Sequence, residues 1–238
     1  MIAVLEHLWM PLTSTPLLWL AVTMVAFFAG RRIQALCKGF PAANPVLIAI
    51  ILVSALLLVT RTPYRTYFDG AQFIHFLLGP ATVALGVPLV KNRAYLRRNL
   101  NSIGIALLAG SLTSIVSGVL IVKALGGTSD VALSMAPKAV TTPIAMAVSQ
   151  QIGGVPALTA TLAILGGIIA AIIGQQLLRG FAVKDWRAHG LAAGVAGSAV
   201  ASAQVAAKDE LGAAFAAVGI GLNGLLTAVL APLLAAYF

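Results

Sequence analysis

Apolar positions in this chain neither alternate nor recur every third or fourth residue. They run continuously for about 20 residues at a time, the length that spans a hydrocarbon core as a helix, and stop at short basic stretches. The pattern predicts helices over Trp9 to Gly30, Asn44 to Thr60, Phe73 to Val90, Ile103 to Val122, Val155 to Leu178, Gly190 to Ala207 and Leu211 to Phe238. The third is interrupted by Gly79-Pro80 and Gly86-Val87-Pro88. The fourth presents a small-residue face from Gly104, Gly110, Ser114 and Gly118. The segment from Gly190 is almost entirely Gly, Ala, Ser and Val, and reads as a tightly packed crossing helix.

One run is unlike the others. Val131 to Gln150 reads VALSMAPKAVTTPIAMAVSQ. Pro137 and Pro143 each remove a helix hydrogen bond and clash with the preceding turn. Backbone freed at membrane depth is tolerated only where protein or a water-filled cavity surrounds it. Lys138 is costly there without a partner or an ionic ligand. Such a broken, charged segment is how carriers build a substrate site.

Composition fixes the class. Of 238 residues, 60% are hydrophobic and 9% charged, and the mean hydropathy is +1.01. A soluble domain of this size is far more polar, so the expectation is an all-α polytopic protein of a bacterial cytoplasmic membrane. The whole chain, 1–238, reads as one integral domain, with 1–70 as N-terminal helices, a possible scaffold, and 71–238 as the core. The net charge is +9. The bases cluster at the ends of apolar runs rather than along a stripe with aromatics, which argues for membrane orientation and against nucleic acid. If every segment crosses and the N-terminus is outside, the loop bases divide eight inside and six outside. If 131–150 enters and leaves on one side, they divide ten and four. The second arrangement obeys the positive-inside rule better. It predicts seven crossings plus one re-entrant, proline-broken hairpin, with the C-terminus inside. Gly79-Pro80-Ala81-Thr82-Val83 faintly echoes Ala136-Pro137-Lys138-Ala139-Val140, which suggests an inverted repeat.

The candidate site follows from what a small anion needs. Broken helices offer free N–H groups and a positive dipole end. Thr141 and Thr142 are expected to open the second half-helix, with Pro143 near its first position, and their hydroxyls either cap it or meet the ligand. Thr82 follows Pro80 in the same way. Ser198, Ser202 and Gln204 add neutral donors, and Asn223 bridges helices or touches substrate. Lys138 pairs with a carboxylate, stays neutral while the site is empty because burial disfavours its charged form, or snorkels to the surface from a shallow loop. No CxxC, HExxH or Walker pattern is present, so no metal, cofactor or ATP is expected. Cys37, the single cysteine, has no internal partner. No embedded carboxylate pair, His cluster or Ser-Lys dyad argues for an enzyme.

Three stretches carry a resemblance: LLGPATVALGVPLVK (Leu77 to Lys91), PKAVTTPIAMAVSQQIGG (Pro137 to Gly154) and GIGLNGLLTAVLAP (Gly219 to Pro232). From about Phe76 to Leu234 the chain resembles the LrgB/CidB membrane family, which includes the plastidial glycolate/glycerate transporter. Residues 71–238 are thus an LrgB-like core. The resemblance departs where the family tends to carry a Ser-His pair and a Thr-Ala-Arg run; here stand Gly197-Ser198 and Ser202-Ala203-Gln204. It implies a carrier of small monocarboxylates such as glycolate, glycerate or pyruvate, working by alternating access. The alternative it implies is a holin- or antiholin-like regulator of murein hydrolases and lysis, assembled with a small LrgA/CidA-like membrane partner. Tight small-residue helices add the expectation of a homodimer.

Overall fold

A computed structural model describes residues 16–37, 43–77, 80, 90 and 93–238. Every element among them is helical: α1 (Pro16–Leu36), α2 (Pro45–Val59), α3 (Tyr64–Phe76), α4 (Arg93–Arg98), α5 (Leu100–Ala124), α6 (Ser129–Met135), α7 (Thr142–Ile152), α8 (Pro156–Gly180), α9 (Trp186–Ala206) and α10 (Glu210–Ala235). Helices α1, α5, α8 and α10 are long and apolar enough to cross a membrane. The chain divides into two units, 1–84 and 85–238.

In the first unit, α1 packs on α2 through Ala26, Ala49 and Val53. Gly30 admits the backbone of Pro45, because a Cβ there would stand 2.6 Å from its carbonyl oxygen. Asn44 caps α2, its Oδ1 accepting from the N–H groups of Val46 at 2.9 Å and Leu47 at 3.3 Å. Trp19 is fully buried, edge-on to Tyr67 of α3 with ring centroids 5.8 Å apart. It packs inside the unit. Most of the third expected helix, Phe73 to Val90, lies outside the described residues. A helix the hydropathy pattern did not suggest, α3, occupies the polar stretch before it.

The second unit is built on three long helices. α5 and α10 run in the same direction: Ile103 and Leu107 meet Phe215 and Val218 at one end, and Ile115 and Val119 meet Ala231 toward the other. Between α5 and α8 the chain makes a hairpin. Pro137 follows the end of α6, residues 136–141 turn, and Pro143 sits in the first turn of α7, where its missing N–H costs nothing. The arms lie side by side, since Thr159 Oγ1 donates to Ser149 Oγ of α7 at 2.6 Å and to the Ser134 carbonyl of α6 at 3.0 Å. Gly153, with φ 86°, closes α7 in the left-handed region. Arms of 7 and 11 residues reach about 10 and 16 Å at 1.5 Å per residue. Neither spans a core of about 30 Å.

Gly190 to Ala207, expected to cross as one helix, does not. Ser198 interrupts α9 with φ 48° and ψ −138°, and the chain reverses there. The first arm runs parallel to α10: a Cβ on Gly190 would collide with the carbonyl of Gly212, and one on Gly194 with that of Ala216. The second arm returns to where α10 starts, placing Val205 against Gly212. Along α8 it runs from Val200, beside Gly167, to Lys208, whose Nζ donates to Gln175 Oε1 at 2.6 Å. These arms also measure only about 18 and 12 Å. The unit therefore runs long helix, hairpin, long helix, hairpin, long helix, with the two hairpins starting from opposite ends. The second broken segment among the described residues is centred on Ser198, whereas the echo at 79–83 lies outside them apart from Pro80.

Candidate functional site

The two reversals meet at the middle of the long helices. Asn223, halfway along α10 and 1% exposed, joins them. Its Nδ2 donates to the carbonyl of Ala139, in the first hairpin's tip, and to that of Val195, in the last turn before Ser198, both at 3.1 Å. Its Oδ1 accepts from Ser111 Oγ of α5 at 2.6 Å. Both amide hydrogens are therefore used on backbone that the breaks left short of partners. Asn223 is a brace between hairpins, with no donor left for a ligand.

Lys138 occupies the first tip. Its Nζ donates to the Ser114 carbonyl at 2.6 Å and lies 3.3 Å from Ser114 Oγ, midway along α5. Gly118, one turn on, makes the space: a Cβ there would stand 2.6 Å from Nζ. The described acidic residues of this unit, Asp130, Asp185, Asp209 and Glu210, all lie at helix starts, and the single ion pair among the described residues joins Arg187 and Asp185. Lys138 is held there by one carbonyl and one hydroxyl, with no ion-pair partner among the described residues.

Beside it, α7 begins without a side-chain cap. Thr141 has N-cap geometry, but its hydroxyl makes no capping bond. Ala145 N–H bonds the Thr141 carbonyl at 2.9 Å, so the N–H groups of Thr142 and Ile144 precede the first intrahelical bond and Pro143 has none. Thr141 and Thr142 are half-buried, and Pro143 is exposed. Opposite, Ser198 Oγ is buried and lacks a partner. Ser202 Oγ donates to the Ser198 carbonyl at 2.6 Å, which steadies the break. A non-glycine residue at this φ and ψ costs on the order of 1–3 kcal/mol.

Asn223 thus ties the first tip, which carries Lys138 and leads into the Thr141-Thr142-Pro143 start of α7, to the last turn before Ser198, whose carbonyl Ser202 bonds. Gln204 lies apart, on the returning arm about 9 Å from the tip, its Nε2 buried and unpaired. Pro80 is exposed, and Thr82 lies outside the described residues. Sequence reasoning missed Ser111 and Ser114 as partners of the site, although Ser114 stood out as a small residue. It also missed the Ser134-Ser149-Thr159 stitch. The signal for the second reversal was the adjacent Gly197-Ser198, a pair at which helices kink.

Long apolar helices joined by helical segments that turn back halfway define a polytopic membrane protein. The chain belongs to the LrgB-like family, whose model matches residues 23–237. It is 34% identical over 221 residues to the antiholin-like protein LrgB of Bacillus mycoides (strain KBAB4), covering 93% of this chain and 96% of that protein. The namesakes from Bacillus cereus (strain B4264) and Bacillus anthracis (strain CDC 684 / NRRL 3495) match to the same extent. No solved structure matches the chain.

Proposed function

We propose that this protein is a secondary carrier of small organic anions, and that the anion binds where the two hairpin tips meet. The observation that carries this is Lys138, an amine near the middle of the long helices with no ion-pair partner among the described residues. A carboxylate would supply the missing charge, and the open start of α7 would bind its second oxygen. The hydroxyls of Thr141, Thr142 and Ser198 suit a 2-hydroxy or 2-keto oxygen, so glycolate, glycerate and pyruvate are the substrate class. Asn223 holds both tips. Loosening its bond to Ala139 opens the site toward one face, and loosening its bond to Val195 opens it toward the other. That is alternating access with the hairpins as gates.

Orientation follows from the hairpins. In residues 93–238 the end carrying the second hairpin holds Arg93, Arg97, Arg98, Arg179, Lys184, Arg187 and Lys208, whereas the other end holds Lys123. The positive-inside rule then puts the second hairpin's end in the cytoplasm and the C-terminus outside. The inward C-terminus expected from the sequence gives way because 186–206 no longer counts as a crossing.

Purified protein in liposomes with labelled glycolate, glycerate or pyruvate tests the carrier. Saturable uptake that Lys138→Ala abolishes and Thr142→Val weakens is expected. The relatives' name favours a second reading, an antiholin-like regulator acting with a small membrane partner. Release of large dyes that rises with protein concentration, without substrate saturation, would favour that reading and sink the carrier.

A further inference from the structure

A second site stands at the opposite end of α8, remote from the hairpin tips. A cavity of about 330 Å³ is lined by Arg179, Ala182, Val183, Lys184, Trp186 and His189. Its wall is a fixed turn. Ala182 N–H bonds the Arg179 carbonyl at 2.9 Å, Val183 N–H bonds that of Leu178 at 3.0 Å, and Ala182 holds φ 58°. His189, 4% exposed, has Nε2 2.9 Å from the Val183 carbonyl, while its Nδ1 is buried without a partner.

The charge here is one-sided. Arg179 and Lys184 have no ion-pair partner among the described residues. Asp185, the nearest acid in sequence, is committed to Arg187 through contacts of 2.5 to 3.0 Å. That hydrogen bonding holds its carboxyl below the usual carboxylate range. Asp209 uses Oδ1 to cap α10, accepting from Gly212 N–H at 2.6 Å. Lys208 is pushed down first by burial and then by the charge of Arg179, so these cations feel each other. Trp186 adds an indole, the side chain favoured at a membrane interface. An exposed apolar stripe, Ile173, Leu177 and Phe181, runs down α8 and ends beside Ala182.

We propose that this cavity binds the phosphate headgroup of an anionic membrane phospholipid, with Arg179 and Lys184 on the phosphate, Trp186 at the glycerol level and the acyl chains along Ile173, Leu177 and Phe181. The stripe decides for lipid over a free anion. A soluble phosphate ester needs the basic pocket but has no use for adjoining hydrocarbon. The site depends on residence in a membrane, not on the carrier reading.

The test is native mass spectrometry and thermal unfolding of the detergent-purified chain with phosphatidylglycerol, phosphatidylcholine or inorganic phosphate. Phosphatidylglycerol is expected to bind and raise Tm, and the other two are not. Arg179→Gln with Lys184→Gln should weaken phosphatidylglycerol binding about 30-fold while leaving Tm in phosphatidylcholine unchanged. Lys184→Gln alone, at an exposed position, should give part of that loss if the double variant is poorly folded. Arg97→Gln serves as the charge-matched control and should retain the Tm shift. Equal binding of both lipids, an undiminished shift in the variants, or a shift reproduced by phosphate alone would overturn the proposal.

Discussion

Three side chains set the behaviour of the interior site. Asn223 satisfies two carbonyls and a hydroxyl, each bond worth about 1 kcal/mol net. Asn223→Ala should therefore cost about 3 kcal/mol, read as a fall in Tm of the purified protein, and Asn223→Asp should fare no better because it cannot donate. Ser198 is different. Glycine reaches its backbone angles freely, so Ser198→Gly should hold or raise Tm, by an amount corresponding to about 1 kcal/mol, whereas Ser198→Val should lower it. A Gly variant as damaged as the Val variant would mean that the buried hydroxyl, not the bend, matters to folding. Gly118→Val tests the amine. The added Cβ meets the end of Lys138 first and then Met135, whose side chain and carbonyl stand 3.2 and 3.3 Å away, so Tm should fall, and uptake per folded protein should drop about tenfold, equivalent to 1.4 kcal/mol. Lys138 and the threonines stood out in the sequence because a base and adjacent hydroxyls are conspicuous in an oily segment. The partners did not. An asparagine in an apolar run says that it needs hydrogen bonds, but not that both donors go to backbone from two different breaks.

Among elements, the two hairpins differ in how plainly they are written. The first carries Pro137 and Pro143, each of which removes a helix hydrogen bond and crowds the preceding turn. The second has no proline between Trp186 and Ala206, only Gly197-Ser198 within a run of small residues, and that run satisfies the pattern of a tightly packed crossing helix equally well. Its reversal is set by packing. Gly190 and Gly194 let the first arm press on α10 at backbone contact, and Val205 and Gly212 bring the second arm home. Gly194→Leu should drive a side chain into the Ala216 carbonyl. Loss of a monodisperse peak on size exclusion is the expected outcome, at a cost of 3 kcal/mol or about that. A normally folded variant would mean that the arm does not lie against α10. The end helices teach a related lesson. α3 is too polar for hydropathy to find, and it forms because Tyr67 has Trp19 and Thr23 to pack on.

At the scale of the molecule, reading one segment as a hairpin inverts the C-terminus. On the reading proposed above, residues 93–238 cross three times with hairpins from opposite faces, and single cysteines in a Cys37→Ser background test that directly. Positions 126 and 238 should react with an impermeant maleimide from outside intact cells, and positions 181 and 207 only after permeabilisation. The reverse pattern would restore the inward C-terminus. The most direct test of the whole account is whether the two tips touch. Ala139→Cys and Val195→Cys, combined in the Cys37→Ser background and treated in membranes with a short thiol cross-linker, should join within one chain, because their carbonyls share a single nitrogen of Asn223. If no cross-link forms and both cysteines react instead with an impermeant reagent from the same face, the tips do not meet at mid-depth, and the binding site drawn around Lys138 is not there.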